Sequence, residues 1–597
     1  MKRALTLVAI AAIAIGSWAT YQALAPAAKP LSGFMPPDAI LYLEAKNFSG
    51  LLGEWNASAQ KVSWLKSDNY SVFSRSRLFQ RLERAQKEFS AAAVLPPDMN
   101  FATALAGEQS ALAIYDIGNL EFVYVTRMPS AKSMQTAIWQ LRTKFEPRSA
   151  NGAGFFVHTD PQSKRVVGFG ATDEYFVLGT REDLIAGAMA LVSGQPGRNL
   201  AQGEWYRKAI AAAPKQAGDL RMVLDLAEIA HTPQFRTYWV QQNITETRQY
   251  SAGVVDLYRS ATEYREERVL LRAGDQESEG GEEPSQGLVT AEGTKAVADL
   301  VKFVPDGAGV YRAVANPTPK EALRLMLVKV LTPHIGPAPV QHLAPKVALT
   351  SGETGSESDL ETRIDQQPVS RYASERATDE LEAQLAQAQV QSLLQVEGTQ
   401  RSANGVFIGP RTVLVFVASS DWNAEGMRTA LQRALQPGLT ASQLGLEWTQ
   451  AGASYRLNGL MPIAMASQGK YLFVSDDPAM LDAIVARSGS ASKMQPATYA
   501  AGFNHEGERE NFLHLTGLVH RAAAPAESNV AAQESDAAEE RAPKTESDAK
   551  APEREPDFFS ENIASLSATL KDVKAESIVV RQGRSRVRQT VTYTWSK

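Results

Sequence analysis

The chain has no cysteine in its 597 residues. That excludes disulfides, thiolate metal sites, cysteine nucleophiles and a lipobox-type anchor. Histidine is sparse: the seven are His158, His231, His334, His342, His505, His514 and His520. None stands four residues from another with a Glu between them, so there is no zincin-type motif, and His514 and His520 are too isolated to argue for a metal. No Walker lysine loop and no Gly-x-Ser-x-Gly elbow occurs. Gly168-Phe-Gly170 resembles the start of a dinucleotide turn, but the residues after it lead into another strand rather than a helix. The adjacent carboxylates Asp476-Asp477 fall at an expected helix N-terminus, where the helix dipole accounts for them. Excess positive charge is missing too. The formal net charge of −5 gives no reason to expect nucleic acid. The sequence therefore offers no catalytic, cofactor-binding or metal-ligating residue, and no cofactor is expected. A sugar-cleaving carboxylate pair assembled only in three dimensions would not show in sequence spacing.

What is present is an internal repeat. YFVLGTREDLIAGAMALVSG, from Tyr175 to Gly194, returns as YLFVSDDPAMLDAIVARSG, from Tyr471 to Gly489. Each copy begins with an aromatic-led strand and reaches a helix start: Thr180 with Asp183 forms a capping-box signal, and Asp477 before Pro478 an N-cap followed by proline. Leu184, Ile185, Ala188 and Met189 then match Met480, Leu481, Ile484 and Val485, one apolar stripe in each helix. Collinear matches flank this pair. Phe34 to Asn47 aligns without a gap on Phe303 to Asn316. EFVYVTRMPSAKSMQTAI matches RTVLVFVASSDWNAEGMRTAL, with Met134, Thr136 and Ala137 against Met427, Thr429 and Ala430. LRMVLDLAEI, from Leu220, matches NFLHLTGLV, from Asn511. Terminal strand regions, Tyr250 to Ala273 and Ile563 to Trp595, close the two copies.

The N-terminal segment combines basic Lys2 and Arg3 with an apolar run from Ala4 to Ile15 and small residues after it. It is expected to be either a cleaved signal peptide or a retained anchor with Trp18 and Tyr21 at the interface. Both place the remainder outside the cytoplasm. Length suggests about four structural units at roughly 150 residues each.

The boundaries expected are 1–33 for the targeting segment and linker, 34–274 for the first repeat, 275–296 for a charged linker and 297–597 for the second repeat. Polar 351–370 and acidic 521–557 read as insertions, the latter expected to be disordered. Two helices stand out. SRSRLFQRLERAQKEFSAAA should turn Leu78, Phe79, Leu82, Ala85 and Phe89 toward a core. SERATDELEAQLAQAQVQSLLQ should do the same with Leu381, Leu385, Leu393 and Leu394. A further helix is expected around Ala131 to Phe145.

The opening with Pro36, Ala39 and Tyr42, the targeting segment and the strand-helix pattern around Tyr175 resemble exported bacterial proteins of an uncharacterised domain-of-unknown-function family, of acidobacterial and cyanobacterial type. The resemblance covers most of residues 34–275. It implies export and an α+β architecture and supplies no activity.

The fold expected is α+β: two tandem duplicated domains, each an antiparallel sheet with helices packed on one face. The function expected is that of an exported, non-catalytic cell-envelope protein acting as a binding or scaffold module. Its partners would be an envelope protein and, if the N-terminal segment is retained, the membrane. The alternatives are a periplasmic carrier of a hydrophobic ligand and a hydrolase with dispersed residues. An apolar cavity under the helices would favour the carrier, a cleft with clustered carboxylates or histidines the hydrolase, and a solid core with a broad exposed patch the binding module.

Overall fold

The structure, a computed structural model, describes residues 30–595 apart from 59–60, 63–64, 66–69, 71–73, 76, 97–100, 234–246, 274–289, 332–374, 402–407, 440–446, 458–461, 493 and 512–572. The targeting segment, both insertions, nearly all of NFLHLTGLV and the charged linker as far as residue 289 lie outside the described residues; the rest of that linker, expected to run to 296, is instead the start of the helix Ala291–Leu300, capped by Thr290. Helix and strand are mixed, and every strand pairing is antiparallel. The chain divides into two compact units. One comprises Met1–Glu54, Arg81–Ala211 and Leu220–Arg248; the other comprises Trp55–Gln80, Ala212–Asp219 and Gln249–Lys597.

The first unit holds β1 (Leu41–Lys46), β2 (Gln109–Asp116), β3 (Glu121–Arg127), β4 (Glu146–Ala150), β5 (Ala153–Thr159), β6 (Val166–Ala171), β7 (Tyr175–Gly179) and β8 (Leu220–Asp225). They pair in the order β8-β1-β2-β3-β7-β6-β5-β4. The β2–β3 turn is closed by Asp116, whose carboxylate accepts the N–H groups of Gly118 at 2.6 Å and Asn119 at 3.1 Å. Helices α1 (Phe48–Ala57), α2 (Arg77–Ala92) and α3 (Phe101–Leu105) precede β2; α4 (Glu182–Val192), α5 (Glu204–Ala212) and α6 (Leu226–His231) come later. The helix expected over Ala131–Phe145 is instead two single turns, Ser130–Ser133 and Ala137–Gln140, because Thr136 between them is extended at φ −67°, ψ 147°.

The helices cover both sheet faces, which corrects the one-face expectation. Strands VVGFGA and YFVLG are apolar at consecutive positions, so each face needs its own cover. Phe89, Ile138, Phe169, Phe176 and Leu178 form a core on one face. On the other, α4 buries Leu184, Ile185, Ala188 and Met189 as its stripe requires. Gly168 and Gly170 let α4 sit close: a Cβ on Gly168 would meet Ile185 at 2.8 Å, and one on Gly170 would meet Met189 at 2.5 Å. The Gly-Phe-Gly motif is thus a helix-packing feature. The Thr180–Asp183 capping box does not form. Arg181 is the N-cap and makes no side-chain cap bond, while Thr180 accepts the Phe122 N–H at 2.9 Å instead.

The second unit contains β9 (Tyr250–Arg259), β10 (Glu263–Arg272), β11 (Val310–Ala315), β12 (Val390–Arg401), β13 (Ile408–Ala418), β14 (Thr449–Ala451), β15 (Ser454–Leu457), β16 (Ile463–Gln468), β17 (Tyr471–Ser475), β18 (Tyr499–Asn504), β19 (Val573–Gln582) and β20 (Arg586–Trp595). Their order is β9-β10-β20-β19-β18-β11-β12-β13-β17-β16-β15-β14. Residues 249–274, expected in the first repeat, belong here because β10 is paired along its length with β20.

Helices α7 (Ala291–Leu300), α8 (Pro319–Met326), α9 (Glu375–Ala388), α10 (Ala424–Leu439) and α11 (Pro478–Val485) again cover both faces. Strand β13 shows why. Leu414, Phe416 and Ala418 join α8, α9 and α10 in one core, while Val413, Val415 and Val417 join α7 and α11 in another. The α9 stripe holds at Leu381 and Leu385, but Gln389 turns left-handed (φ 49°) and stops the helix. Leu393 and Leu394 therefore lie in β12 on opposite faces. The cap expected at Asp477 forms, accepting the Met480 N–H at 2.9 Å with Pro478 in the first turn.

Candidate ligand pocket

Among the described residues, the histidines and adjacent carboxylates weighed in the sequence do not converge. His158 bonds the carbonyl of Ala92 at 2.7 Å and rests against the Phe145 ring, and His231 bonds the carbonyl of Ala227 in its own helix. His505 stands 3.6 Å from Glu576, and burial lowers its pKa. His334, His342, His514 and His520 lie outside the described residues. Among the described residues no three His, Asp or Glu side chains group as metal ligands. Asp476 accepts the Thr412 N–H at 2.6 Å and Asp477 caps α11, so both carboxylates have structural partners.

A cavity of about 260 Å³ opens in the first unit, between α1, α2 and α3 on one side and the sheet on the other. Its placement follows from two local facts. Phe89 and Ala85 of α2 are buried, whereas Leu82, expected to share that face, is 44% exposed. The sheet contributes alternate residues of β3, Phe122 and Tyr124, which point to the same face as period-two geometry requires. Phe48, Phe89, Phe101, Leu105, Leu112, Leu120 and Leu178 supply most of the remaining apolar wall.

Polar groups mark two parts of the lining. Toward the middle of β3, the Tyr124 hydroxyl donates to the carbonyl of Leu105 at 2.8 Å and contacts Ser110 Oγ at 3.0 Å; Ser110 in turn lies 2.7 Å from Thr126 Oγ1. Burial raises the Tyr124 pKa, so the phenol stays neutral and acts as a hydrogen-bonding group rather than as a base. Toward the β2–β3 turn, the Arg165 guanidinium donates to the carbonyls of Asn119 and, at 2.7 Å, Leu120. Burial pulls its pKa down, although it remains a cation at neutral pH.

This lining joins Phe48 to Leu178 across elements far apart in sequence, which is why no motif announced it. Alternating Phe122 and Tyr124 were readable as one face of a strand. That the space above them stays open was not, because it depends on how α1, α2 and α3 meet. In the second unit, Leu414 and Phe416 of β13 are packed in one core with α9 and α10.

The described residues contain no helix long and apolar enough to cross a membrane. No family model matches the chain, and no curated protein matches it. Among solved structures it is similar to TP0453 in crystal form I, with 10% identity, 42% of this chain and 81% of that chain covered, and a TM-score of 0.22. Crystal form III gives 9% identity, coverage of 42% and 82%, and a TM-score of 0.23. At these TM-scores the likeness carries no argument about function.

Proposed function

We propose that this is an exported, non-catalytic cell-envelope protein whose first unit binds an apolar ligand, the carrier alternative among the functions expected from sequence. The observation that carries the proposal is the cavity of about 260 Å³ walled by Phe48, Phe89, Phe101, Leu105, Leu112 and Phe122. Such apolar space with a few placed polar groups is the usual form of a small-molecule site. Each methylene moved into it from water contributes about 0.8 kcal/mol. Export rests on the basic and apolar N-terminal segment.

Duplication belongs to the same proposal. Supporting it, β8-β1-β2-β3-β7-β6-β5-β4 and β18-β11-β12-β13-β17-β16-β15-β14 follow one connectivity. The aligned Asn47 and Asn316 are both left-handed, at φ 49° and 50°. The strand paired with β11 as β8 pairs with β1 is Tyr499–Asn504, so the better match for LRMVLDLAEI begins there rather than at Asn511.

The test is binding of the neutral dye N-phenyl-1-naphthylamine to the full chain and to Ala85→Phe, which places a ring in the cavity. Saturable binding that drops tenfold or more in the variant, with unfolding midpoints unchanged, is the expected result. Equal binding by the two proteins would remove the cavity as the site. Sequencing the mature N-terminus from fractionated cells tests export; an uncleaved chain in the cytosolic fraction would overturn it.

A further inference from the structure

Arg165 is an unusual residue to find against an apolar cavity, because its cation is only partly compensated. Its two terminal nitrogens donate to backbone carbonyls of the β2–β3 turn, and its Nε is buried with no hydrogen-bond partner among the described residues. No carboxylate comes within ion-pair distance of it there. Of the acidic groups that act on it from farther away, Glu121 is held by Arg181 at 2.7 Å and Asp116 is committed to the turn N–H groups, which leaves Glu88. A second guanidinium, Arg81, bonds the same turn at Gly118. A half-buried cation whose bonds go only to carbonyls favours an anion brought into contact with it.

We infer that the ligand is a single-chain amphiphile with a carboxylate head, the chain lying along Phe122, Phe89 and Phe101 and the head meeting Arg165. This rests on the ligand-binding reading of the cavity and specifies its chemistry. The volume of about 260 Å³ falls below the roughly 300–1,000 Å³ of sites for drug-sized molecules, which suits one acyl chain rather than the two of a phospholipid. Tyr124, farther along β3, already spends its hydroxyl on Leu105 and Ser110 and leaves that part of the wall without a free charge.

The experiment uses the full chain at pH 8 and compares decanoate with decan-1-ol as competitors of bound N-phenyl-1-naphthylamine, in the wild type, Arg165→Gln and Arg165→Lys. The inference expects decanoate affinity to fall about tenfold in Arg165→Gln with decanol unchanged, the size of one charge-assisted hydrogen bond, and Arg165→Lys to recover part of the loss. If Arg165→Gln weakens both competitors equally, or neither, the anionic head is wrong while the cavity reading stands. If neither competitor displaces the dye from the wild type, the single-chain amphiphile is wrong, and the cavity reading is decided by the dye with Ala85→Phe.

Discussion

The carboxylate of Asp476 accepts the backbone N–H of Thr412 at 2.6 Å, fastening the end of β17 to β13. In the first unit the hydroxyl of Thr180 takes the N–H of Phe122 at 2.9 Å in the same place on the ladder. The carboxylate version is sensitive to pH. Burial, with smaller contributions from the charges of Asp477 and Glu397, pushes the Asp476 pKa up to about 6. The folded state therefore holds the proton more tightly than the unfolded one between about pH 4 and that value, so stability declines as pH rises through this window. Asp476→Asn keeps the acceptor and removes the titration. Urea midpoints should show the wild type losing on the order of 2 kcal/mol relative to the variant between pH 4 and 7. Parallel curves for the two proteins would contradict this.

Gly107 should not tolerate a side chain. A Cβ there would lie 2.3 Å from the Arg127 carbonyl oxygen and from Thr126 Oγ1, and its N–H already donates to Thr126 at 3.0 Å. Gly107→Ala is expected to cost about 2 kcal/mol in chemical denaturation, as overpacking against backbone does. Gly53, in α1, has nothing within 4 Å. Gly53→Ala should therefore stabilise by about 0.5–1 kcal/mol through helix propensity.

The left-handed Gln389 separates α9 from β12. Gln389→Gly relieves the backbone and should be neutral or stabilising by up to about 1 kcal/mol. Gln389→Val, with a branched side chain at the same φ, should destabilise by at least about 1 kcal/mol. Thermal melts of the two variants distinguish this from a side-chain effect, which would move both in the same direction.

Arg181 bonds Glu121 at 2.7 Å, and at the matching ladder positions Asp477 faces Arg411 at 3.6 Å with the charges exchanged. Geometry thus accepts either polarity. Arg181→Glu alone should destabilise by about 0.3–1 kcal/mol, the range of exposed pairs, and adding Glu121→Arg should restore the share owed to Glu121 but not that of Asp183, which Arg181 also bonds at 2.7 Å. A double variant no better than the sum of the single ones would contradict the equivalence.

Much of the ladder was legible from the chain. Alternation placed β1 and the hairpin around Asp116, and the stripe of α4 is buried as read, that of α11 at Met480, Leu481 and Ile484 with Val485 half-buried. Legibility failed where two signals compete. Leu393 and Leu394 continue the helical spacing of Leu381 and Leu385, yet a single left-handed residue at Gln389 converts the remainder to strand. Consecutive apolar residues in TVLVFVA carry the two-faced cover, a pattern that alternation elsewhere in the chain obscured. The cavity was not readable, because Arg165 serves it from the start of a strand region whose sequence gives no sign of what lies opposite.

The pairing of β10 with β20 has a consequence for how the molecule comes apart. Nine cross-strand partners, from Glu263 with Thr594 to Leu271 with Arg586, join a segment before the charged linker to the last strand. Peptide-bond cleavage in that linker would leave two fragments clasped by a backbone ladder, so they should co-elute in native buffer and separate only in denaturant. An N-terminal fragment made by itself would carry an unsatisfied strand edge seeking a substitute.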